Sequence, residues 1–179
     1  DLKLPTPMNK YAASKIKNEI EAEKFSTKHD VNIIGLRFFT VYGPQGRPDM
    51  AYFKFANSIT SSENINLFNG GLLKRDMTYI DDIIQGIVNS IEYVQSSEIG
   101  FQIYNLGNER PVKTYYLLNL IEKELGKKGL INFISDPKEV KITYSDSSKA
   151  LKEFGFKPKV DIEYGVSKFI NWYKKYFNI

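Results

Sequence analysis

The sequence of 179 residues contains no cysteine and a single histidine, His29. Without cysteine the chain has no disulfide, no thiolate nucleophile and no Cys-ligated zinc site. With one histidine, neither a His-based metal site nor a Ser-His-Asp triad is expected, and we predict no bound metal. We expect His29 near the C-terminus of a helix, where the helix dipole favours a cation.

Long apolar runs and blocks of like charge are also missing. No apolar run approaches 18 residues, so we predict no transmembrane helix and no membrane partner. The net charge is +4, but the lysines are scattered, which argues against a nucleic-acid partner. The N-terminus lacks Met and shows no signal-peptide pattern. We interpret the chain as starting within a longer, cytoplasmic protein.

Apolar patterns and turn residues predict strands that alternate with helices, which indicates an α/β fold. The main predicted helices are 10–28, 50–62, 81–94, 114–125, 147–154 and 162–176, and the strands are 32–38, 65–68, 102–107 and 130–135. Residues 39–50, rich in Gly and Pro, are predicted to form a loop, and residues 74–80 an extended segment. We expect Asp81 or Asp82 to cap one helix and Thr114 another, and Gly126 to end the second.

Tyrosine and lysine recur four residues apart at Tyr11/Lys15 and at Tyr164/Lys168. Random placement of the chain's Tyr and Lys residues gives roughly 1.4 such matches, so the spacing alone carries no information. Tyr164 lies in an amphipathic segment that predicts a packing helix. Between Tyr11 and Lys15 stand two alanines and a serine, small residues that let a ligand approach.

A Tyr–Lys pair on one helical face has a defined chemistry. The pKa of a free tyrosine is near 10, and an adjacent ammonium group lowers it. Such a phenol can move a proton to or from a sugar hydroxyl. The lysine keeps its charge and can hydrogen-bond a ribose. The alternative is a surface tyrosine beside a solvated lysine.

Several further segments resemble one known family, the extended short-chain dehydrogenase/reductases, and within it the nucleotide-sugar epimerases that act on UDP-glucuronate. The resemblance covers the C-terminal half of these enzymes, from about Tyr11 onward. It rests on Tyr11-Ala12-Ala13-Ser14-Lys15, Leu36-Arg37-Phe38-Phe39-Thr40-Val41-Tyr42-Gly43-Pro44, Gly46-Arg47-Pro48-Asp49-Met50, Lys74-Arg75-Asp76-Met77-Thr78-Tyr79-Ile80-Asp81-Asp82-Ile83, Tyr104-Asn105-Leu106-Gly107-Asn108 and Gly155-Phe156-Lys157-Pro158.

The resemblance implies NAD as cofactor and a UDP-sugar as substrate. It makes Tyr11 the proton-transferring residue, with Lys15 as its partner and as a contact of the nicotinamide ribose. The nicotinamide would lie beside Phe38, Thr40 and Val41. The hexose would also lie beside Thr40.

Substrate contacts are implied as well. Thr40 and Arg47 would hold a sugar carboxylate, for which a hydroxyl and a guanidinium are suitable partners. Arg75 would contact the diphosphate. Asn66 and Phe68 would flank uracil, and Glu139 stands where relatives contact the uridine ribose.

Three of these residues could instead have purely structural roles. Arg47 could cap a loop carbonyl, Arg75 could pair with Asp76, and Thr40 could pack in a tight turn.

The implied fold is the C-terminal part of a Rossmann-type α/β fold. Residues 1–45 would end the NAD-binding domain, and residues 46–179 would form a substrate-binding lobe with interleaved Rossmann elements at about 76–110. The Gly-rich turn that seats the NAD pyrophosphate is absent from the sequence. We therefore expect the fragment to be inactive alone.

The implied reaction is C4 epimerisation of UDP-glucuronate to UDP-galacturonate for surface polysaccharide biosynthesis, by a homodimer when full-length. The alternatives are another nucleotide-sugar epimerase or a dehydratase, acting on UDP-glucose or a UDP-N-acetylhexosamine, and an inactive fragment that only binds sugar nucleotides.

Overall fold

A computed structural model describes residues 10–136 and 140–179. The helices are α1 (Lys10–His29), α2 (Ala51–Ser61), α3 (Ile80–Ser96), α4 (Thr114–Leu125), α5 (Ser148–Phe154) and α6 (Ile162–Phe177). The strands are β1 (Ile33–Phe38), β2 (Thr40–Tyr42), β3 (Asn64–Phe68), β4 (Lys74–Arg75), β5 (Met77–Tyr79), β6 (Phe101–Leu106), β7 (Val112–Lys113) and β8 (Leu130–Ile134).

The strands pair mainly in parallel. β1 pairs with β6, β2 with β5 and β3 with β8, each in parallel register, whereas β4 and β7 are antiparallel. Parallel neighbours require crossover connections, and helices supply them here. The predicted α/β class is therefore confirmed.

One predicted loop contains a strand. Thr40–Tyr42 forms β2, whose residues pair with Met77–Tyr79. The prediction of a loop over 39–50 was wrong at 40–42, because the pairing partner is distant in sequence and leaves no signal within the segment itself.

Two predicted helix caps were also wrong. Tyr79 and Lys113 occupy the N-cap positions of α3 and α4, without a side-chain cap bond. The carboxylate of Asp82 instead accepts the backbone N–H groups of Lys159 and Val160. The predicted stop of α4 is confirmed, since Gly126 follows it with a φ of 69°.

Buried side chains form two clusters. The larger cluster packs α2, α4 and α6 against β2, β3 and β5, with Phe169 and Leu118 fully buried. The smaller cluster packs α3 and α5 against β6, around Leu106 and Phe156. β2 borders both clusters, since Tyr42 belongs to the larger and Val41 packs against the smaller.

Helix α1 is attached to the sheet by an ion pair rather than by a buried face. Ser26 is its one buried residue. Glu19 accepts two hydrogen bonds from Arg37 of β1, at 2.7 Å from Nε and 2.6 Å from Nη2. These hydrogen bonds raise the pKa of Arg37. The bidentate geometry fixes how α1 crosses β1.

Helix α3 exposes an apolar stripe on its outer face. Ile84, Val88 and Ile91 are spaced by four and three residues and are all exposed. Contiguous exposed apolar side chains mark contact surfaces in soluble proteins. The stripe therefore contributes little to the stability of this chain.

We predict that the double variant Ile84→Gln and Val88→Gln changes the free energy of unfolding by less than about 0.5 kcal/mol and reduces self-association. The matched control is Ile83→Gln, because Ile83 is 2% exposed and Ile84 is 51% exposed. Burying that amide without a partner should cost about 3 kcal/mol. Urea denaturation and light scattering measure both effects, and equal losses in the two variants would contradict the assignment.

Candidate active site

The Tyr11–Lys15 pair lies in the first turns of α1. The Nζ atom of Lys15 is 5.3 Å from the centroid of the Tyr11 ring. Tyr11 is 70% exposed, so its hydroxyl is accessible. Ser14, between the two residues of the pair, donates to the Tyr11 carbonyl oxygen at 2.8 Å.

The second pair has almost the same local geometry. The Nζ atom of Lys168 is 5.0 Å from the ring centroid of Tyr164, which is 56% exposed. Neither residue lines either of the two cavities described below. α6 buries its opposite face, including Val166 and Phe169, in the larger cluster. It is therefore the surroundings, and not the pair itself, that distinguish Tyr11 as a candidate.

A large cavity of about 1200 Å³ lies between α1, β1 and the turn that follows β2. Tyr11, Lys15, Phe38, Val41 and Arg47 all line it. Ligands of α/β proteins bind at the carboxyl ends of parallel strands, and Phe38 ends β1. The structure thus brings five of the sequence-predicted site residues to one cavity.

A small cavity of about 120 Å³ is lined by two more predicted site residues, Thr40 and Arg75. Met50 and Tyr52 line both cavities, so the start of α2 separates them. The backbone N–H of Thr40 donates to the Asp76 carbonyl oxygen at 3.0 Å. Thr40 therefore lies against the junction between β4 and β5, directly after Arg75, which ends β4.

The dividing wall depends on Tyr52 and on two glycines. A Cβ atom at Gly46 would lie 1.7 Å from the Tyr52 hydroxyl oxygen, so only glycine fits beneath that ring. Gly43 has a φ of 147°, a conformation that other residues rarely adopt. Burial raises the pKa of Tyr52, and its ring packs edge-on against Phe169 at 4.8 Å. The turn before Arg47 is therefore held by the core.

Arg47 stands at the rim of the large cavity and forms a bidentate ion pair with Asp49. Nε lies 3.0 Å from Oδ1 and Nη2 lies 2.6 Å from Oδ2. The hydrogen bond to Asp49, the charge of Asp49 and the nearby phenol of Tyr11 all raise the pKa of Arg47. The hydrogen bond from Arg47 lowers the pKa of Asp49. Arg47 and Tyr11 both line this cavity.

Arg75 and Asp76 have different partners. Nη1 of Arg75 donates to the carbonyl oxygens of Lys74 and Val140, at 3.0 and 2.7 Å. The fully buried carboxylate of Asp76 accepts backbone N–H groups from Asn108, Glu109 and Ser145, at 2.9, 3.2 and 2.8 Å, and also the Ser145 hydroxyl. Asp76 therefore joins the strand junction beside Arg75 to two distant segments.

The residues predicted to flank uracil lie elsewhere, on the exposed face of β3. Asn66 accepts a hydrogen bond from the side chain of Asn132 on β8 at 3.1 Å. Phe68 is partly exposed two residues further along the same face. Neither lines the large or the small cavity. Glu139, predicted near the ribose, lies outside the described residues.

Sequence reasoning missed three residues that shape this site, namely Asp49, Tyr52 and Asp76. Asp49 stands two positions after Arg47, and that spacing was an available signal for an ion pair. Tyr52 carried no signal, since one aromatic residue in an apolar helix predicts only packing. Asp76 was weighed only as a partner for Arg75.

The described residues form neither a metal-holding cluster nor a membrane-spanning helix. Within 10–136 and 140–179, no group of three or more His, Cys, Asp or Glu residues is arranged to hold a metal. Among the helices of the same residues, none is long and apolar enough to cross a membrane.

Known proteins resemble both the sequence and the fold. Residues 1–107 match the family described as the NAD dependent epimerase/dehydratase family. An uncharacterized protein of Methanocaldococcus jannaschii is 44% identical over 97% of this chain and 52% of its own length. UDP-glucuronate 4-epimerase 1 of Arabidopsis thaliana is 40% identical over 96% of this chain and 43% of its own length.

A crystal structure of UDP-glucuronic acid 4-epimerase from Bacillus cereus, in complex with UDP-glucuronic acid and NAD, superposes with a TM-score of 0.87. It is 32% identical, over 97% of this chain and 55% of that one. The predicted Rossmann-type α/β fold is thereby confirmed. The chain spans about half the length of the relatives it matches.

We predict that Asp76→Asn lowers the free energy of unfolding by about 3 kcal/mol, because an amide nitrogen cannot accept the N–H groups that the carboxylate accepts. Urea denaturation measures the loss. The control Asp81→Asn changes an exposed carboxylate nearby and should cost less than about 0.5 kcal/mol. An Asp76→Asn variant as stable as this control would show that the network is dispensable.

Proposed function

Since the chain belongs to the NAD dependent epimerase/dehydratase family, we propose that it forms the substrate-binding half of an enzyme that epimerises C4 of a UDP-sugar. The proposed pair of sugars is UDP-glucuronate and UDP-galacturonate. The observation that carries the proposal is that Tyr11 and Arg47 line the same cavity. A proton-transferring phenol and a carboxylate-binding guanidinium there face the same ligand.

The residues of the large cavity fit NAD on physical grounds. Lys15 offers ammonium donors to ribose hydroxyls, and Phe38 and Val41 offer apolar contacts to a nicotinamide ring. Pockets for small molecules occupy about 300–1,000 Å³, so a cavity of about 1200 Å³ can hold part of the cofactor beside a hexose. NAD bound beside these residues would supply the hydride acceptor and donor for C4.

The proton steps belong to Tyr11. Its phenolate takes the proton from the C4 hydroxyl while the carbon is oxidised, which leaves a 4-keto sugar. After the 4-keto sugar has rotated in the site, C4 is reduced from its other face and Tyr11 returns the proton to the same oxygen. The Nζ atom of Lys15 lies 5.3 Å from the ring centroid, and a positive charge close to a phenol stabilises the phenolate that accepts the proton.

The carboxylate of a uronic acid is the group that Arg47 would recognise. A guanidinium binds a carboxylate through two parallel hydrogen bonds. Thr40 adds a hydroxyl from the adjoining small cavity, and Arg75, which lines that cavity as well, would meet the diphosphate. Asn66 and Phe68 would hold the uracil on the exposed face of β3, with Glu139 at the ribose.

The wider assignments follow from the same proposal. Residues 1–45 end the NAD-binding domain, and residues 46–179 form the substrate lobe, with Rossmann elements at about 76–110. The complete enzyme acts as a cytoplasmic homodimer in surface polysaccharide biosynthesis. The name of the Arabidopsis relative, UDP-glucuronate 4-epimerase 1, supports this choice of sugar.

The direct test uses the complete enzyme, in which this chain is joined to its dinucleotide-binding half. Incubation with NAD and UDP-glucuronate should yield UDP-galacturonate, detected by chromatography. Epimerisation of UDP-glucose or a UDP-N-acetylhexosamine instead would support the epimerase reaction but refute UDP-glucuronate as the substrate. Release of water from the sugar would establish a dehydratase.

We predict that Tyr11→Phe lowers kcat by roughly 10² to 10⁴-fold and leaves substrate binding intact, because only the proton-transferring hydroxyl is removed. Steady-state kinetics and calorimetric binding separate the two quantities. The matched control is Tyr164→Phe, which alters a pair of the same local geometry outside the cavities. A kcat for Tyr11→Phe as high as that of the control would refute the role of Tyr11.

We predict that Arg47→Lys lowers kcat/KM for UDP-glucuronate by about 10- to 100-fold, because a lysine lacks the planar fork that binds a carboxylate at two points. The value for an uncharged UDP-hexose should stay the same. An equal loss for both substrates would mean that Arg47 supports the loop rather than the carboxylate.

A further inference from the structure

Arg47 and Asp49 lie within one tight turn at the start of α2. The backbone N–H of Met50 donates to the Arg47 carbonyl oxygen at 3.2 Å. The Met50 carbonyl oxygen in turn accepts the N–H groups of Phe53 and Lys54, at 3.1 and 3.0 Å. Both residues of the ion pair are thus tied to the same helix, and little chain entropy is lost when they pair.

Asp49 occupies one particular edge of the guanidinium. A guanidinium carries five N–H donors in a rigid plane. The two oxygens of Asp49 accept from Nε and Nη2, which form the side edge. The end edge, formed by Nη1 and the second N–H of Nη2, takes no part in these two bonds. A second carboxylate can therefore bind Arg47 without displacing Asp49.

We propose that Asp49 is a positioning residue for carboxylate recognition: it holds the side edge of Arg47 so that the end edge faces the large cavity. This inference rests on the proposed function, which assigns Arg47 to the sugar carboxylate. Asp49 then determines specificity for an anionic sugar without touching it.

Asp49 could instead compete with the ligand for Arg47, and binding measurements distinguish the two roles. If Asp49 competed with the ligand for Arg47, its removal would strengthen the binding of an anionic sugar. Exposed ion pairs contribute little unless their geometry is bidentate. The Arg47–Asp49 pair has that geometry, whereas Arg110 and Asp161, at similar exposure, approach only to 3.7 Å. The bidentate contact favours positioning over simple charge compensation.

The test measures the mobility of the Arg47 side chain in the 179-residue chain by nuclear magnetic resonance. The chain has four arginines, at 37, 47, 75 and 110, so the Nε–H signals are few, and Arg47→Lys identifies the signal of Arg47. We expect an order parameter near that of rigid backbone, about 0.85, for Arg47 and a value below about 0.6 in Asp49→Ala. An unchanged order parameter in Asp49→Ala would overturn the proposal.

Two other arginines serve as internal standards in the same spectrum. Arg37, held at two points by Glu19, should remain ordered in both proteins. Arg110, whose Nη1 lies 3.7 Å from a carboxylate oxygen of Asp161, should be mobile in both. A signal of Arg47 as mobile as that of Arg110 in the unaltered chain would also overturn the proposal.

Titration with UDP-glucuronate and UDP-glucose completes the test. Asp49→Ala should weaken the binding of UDP-glucuronate by up to about fivefold and leave that of UDP-glucose unchanged. Tighter binding of UDP-glucuronate would establish competition and refute positioning. If the unaltered chain binds neither compound, the proposed sugar site of this chain fails, while the order parameters still decide whether Asp49 positions Arg47.

Discussion

The buried carboxylate of Asp76 is the contact on which the geometry of the candidate site depends. Its oxygens accept backbone N–H groups from the segment after β6 and from Ser145. Its own carbonyl oxygen accepts the N–H of Thr40, and its neighbour in sequence is Arg75. A buried carboxyl group tolerates few arrangements of its donors, because each lost hydrogen bond leaves a buried acceptor unsatisfied. The positions of Thr40 and Arg75 therefore follow from the need to satisfy Asp76.

A second constraint links the core to the rim of the large cavity. Tyr52 packs between Phe169 of α6 and the turn at Gly46, where no side chain has room. The turn carries Arg47, so the packing of α6 sets where that guanidinium can lie. On the other side of the cavity, the Arg37–Glu19 pair sets the crossing of α1 over β1, and with it the position of Tyr11. Two anchors, one aromatic and one ionic, thus determine the distance between the phenol and the guanidinium.

Local patterns predicted the elements whose determinants are local. Helix α1 and the stop of α4 at Gly126 follow from helix-forming runs and from the left-handed conformation that glycine adopts. Strand β2 and the role of Asp82 were missed, because their partners lie far along the chain.

The residues of the candidate site also fall into those that local sequence predicts and those that depend on distant contacts. Motifs pointed to the residues of the large cavity, since each stands in a recognisable stretch of sequence. The supports of those residues, Asp49, Tyr52 and Asp76, act through contacts that only the folded chain creates. The two tyrosine–lysine pairs make the point sharply, because their ring-to-ammonium distances of 5.3 and 5.0 Å are nearly the same. A phenol beside an ammonium group can transfer a proton only where a ligand hydroxyl can reach it. Helix α6 packs into the larger cluster beside its pair, whereas the pair on α1 lies next to the large cavity.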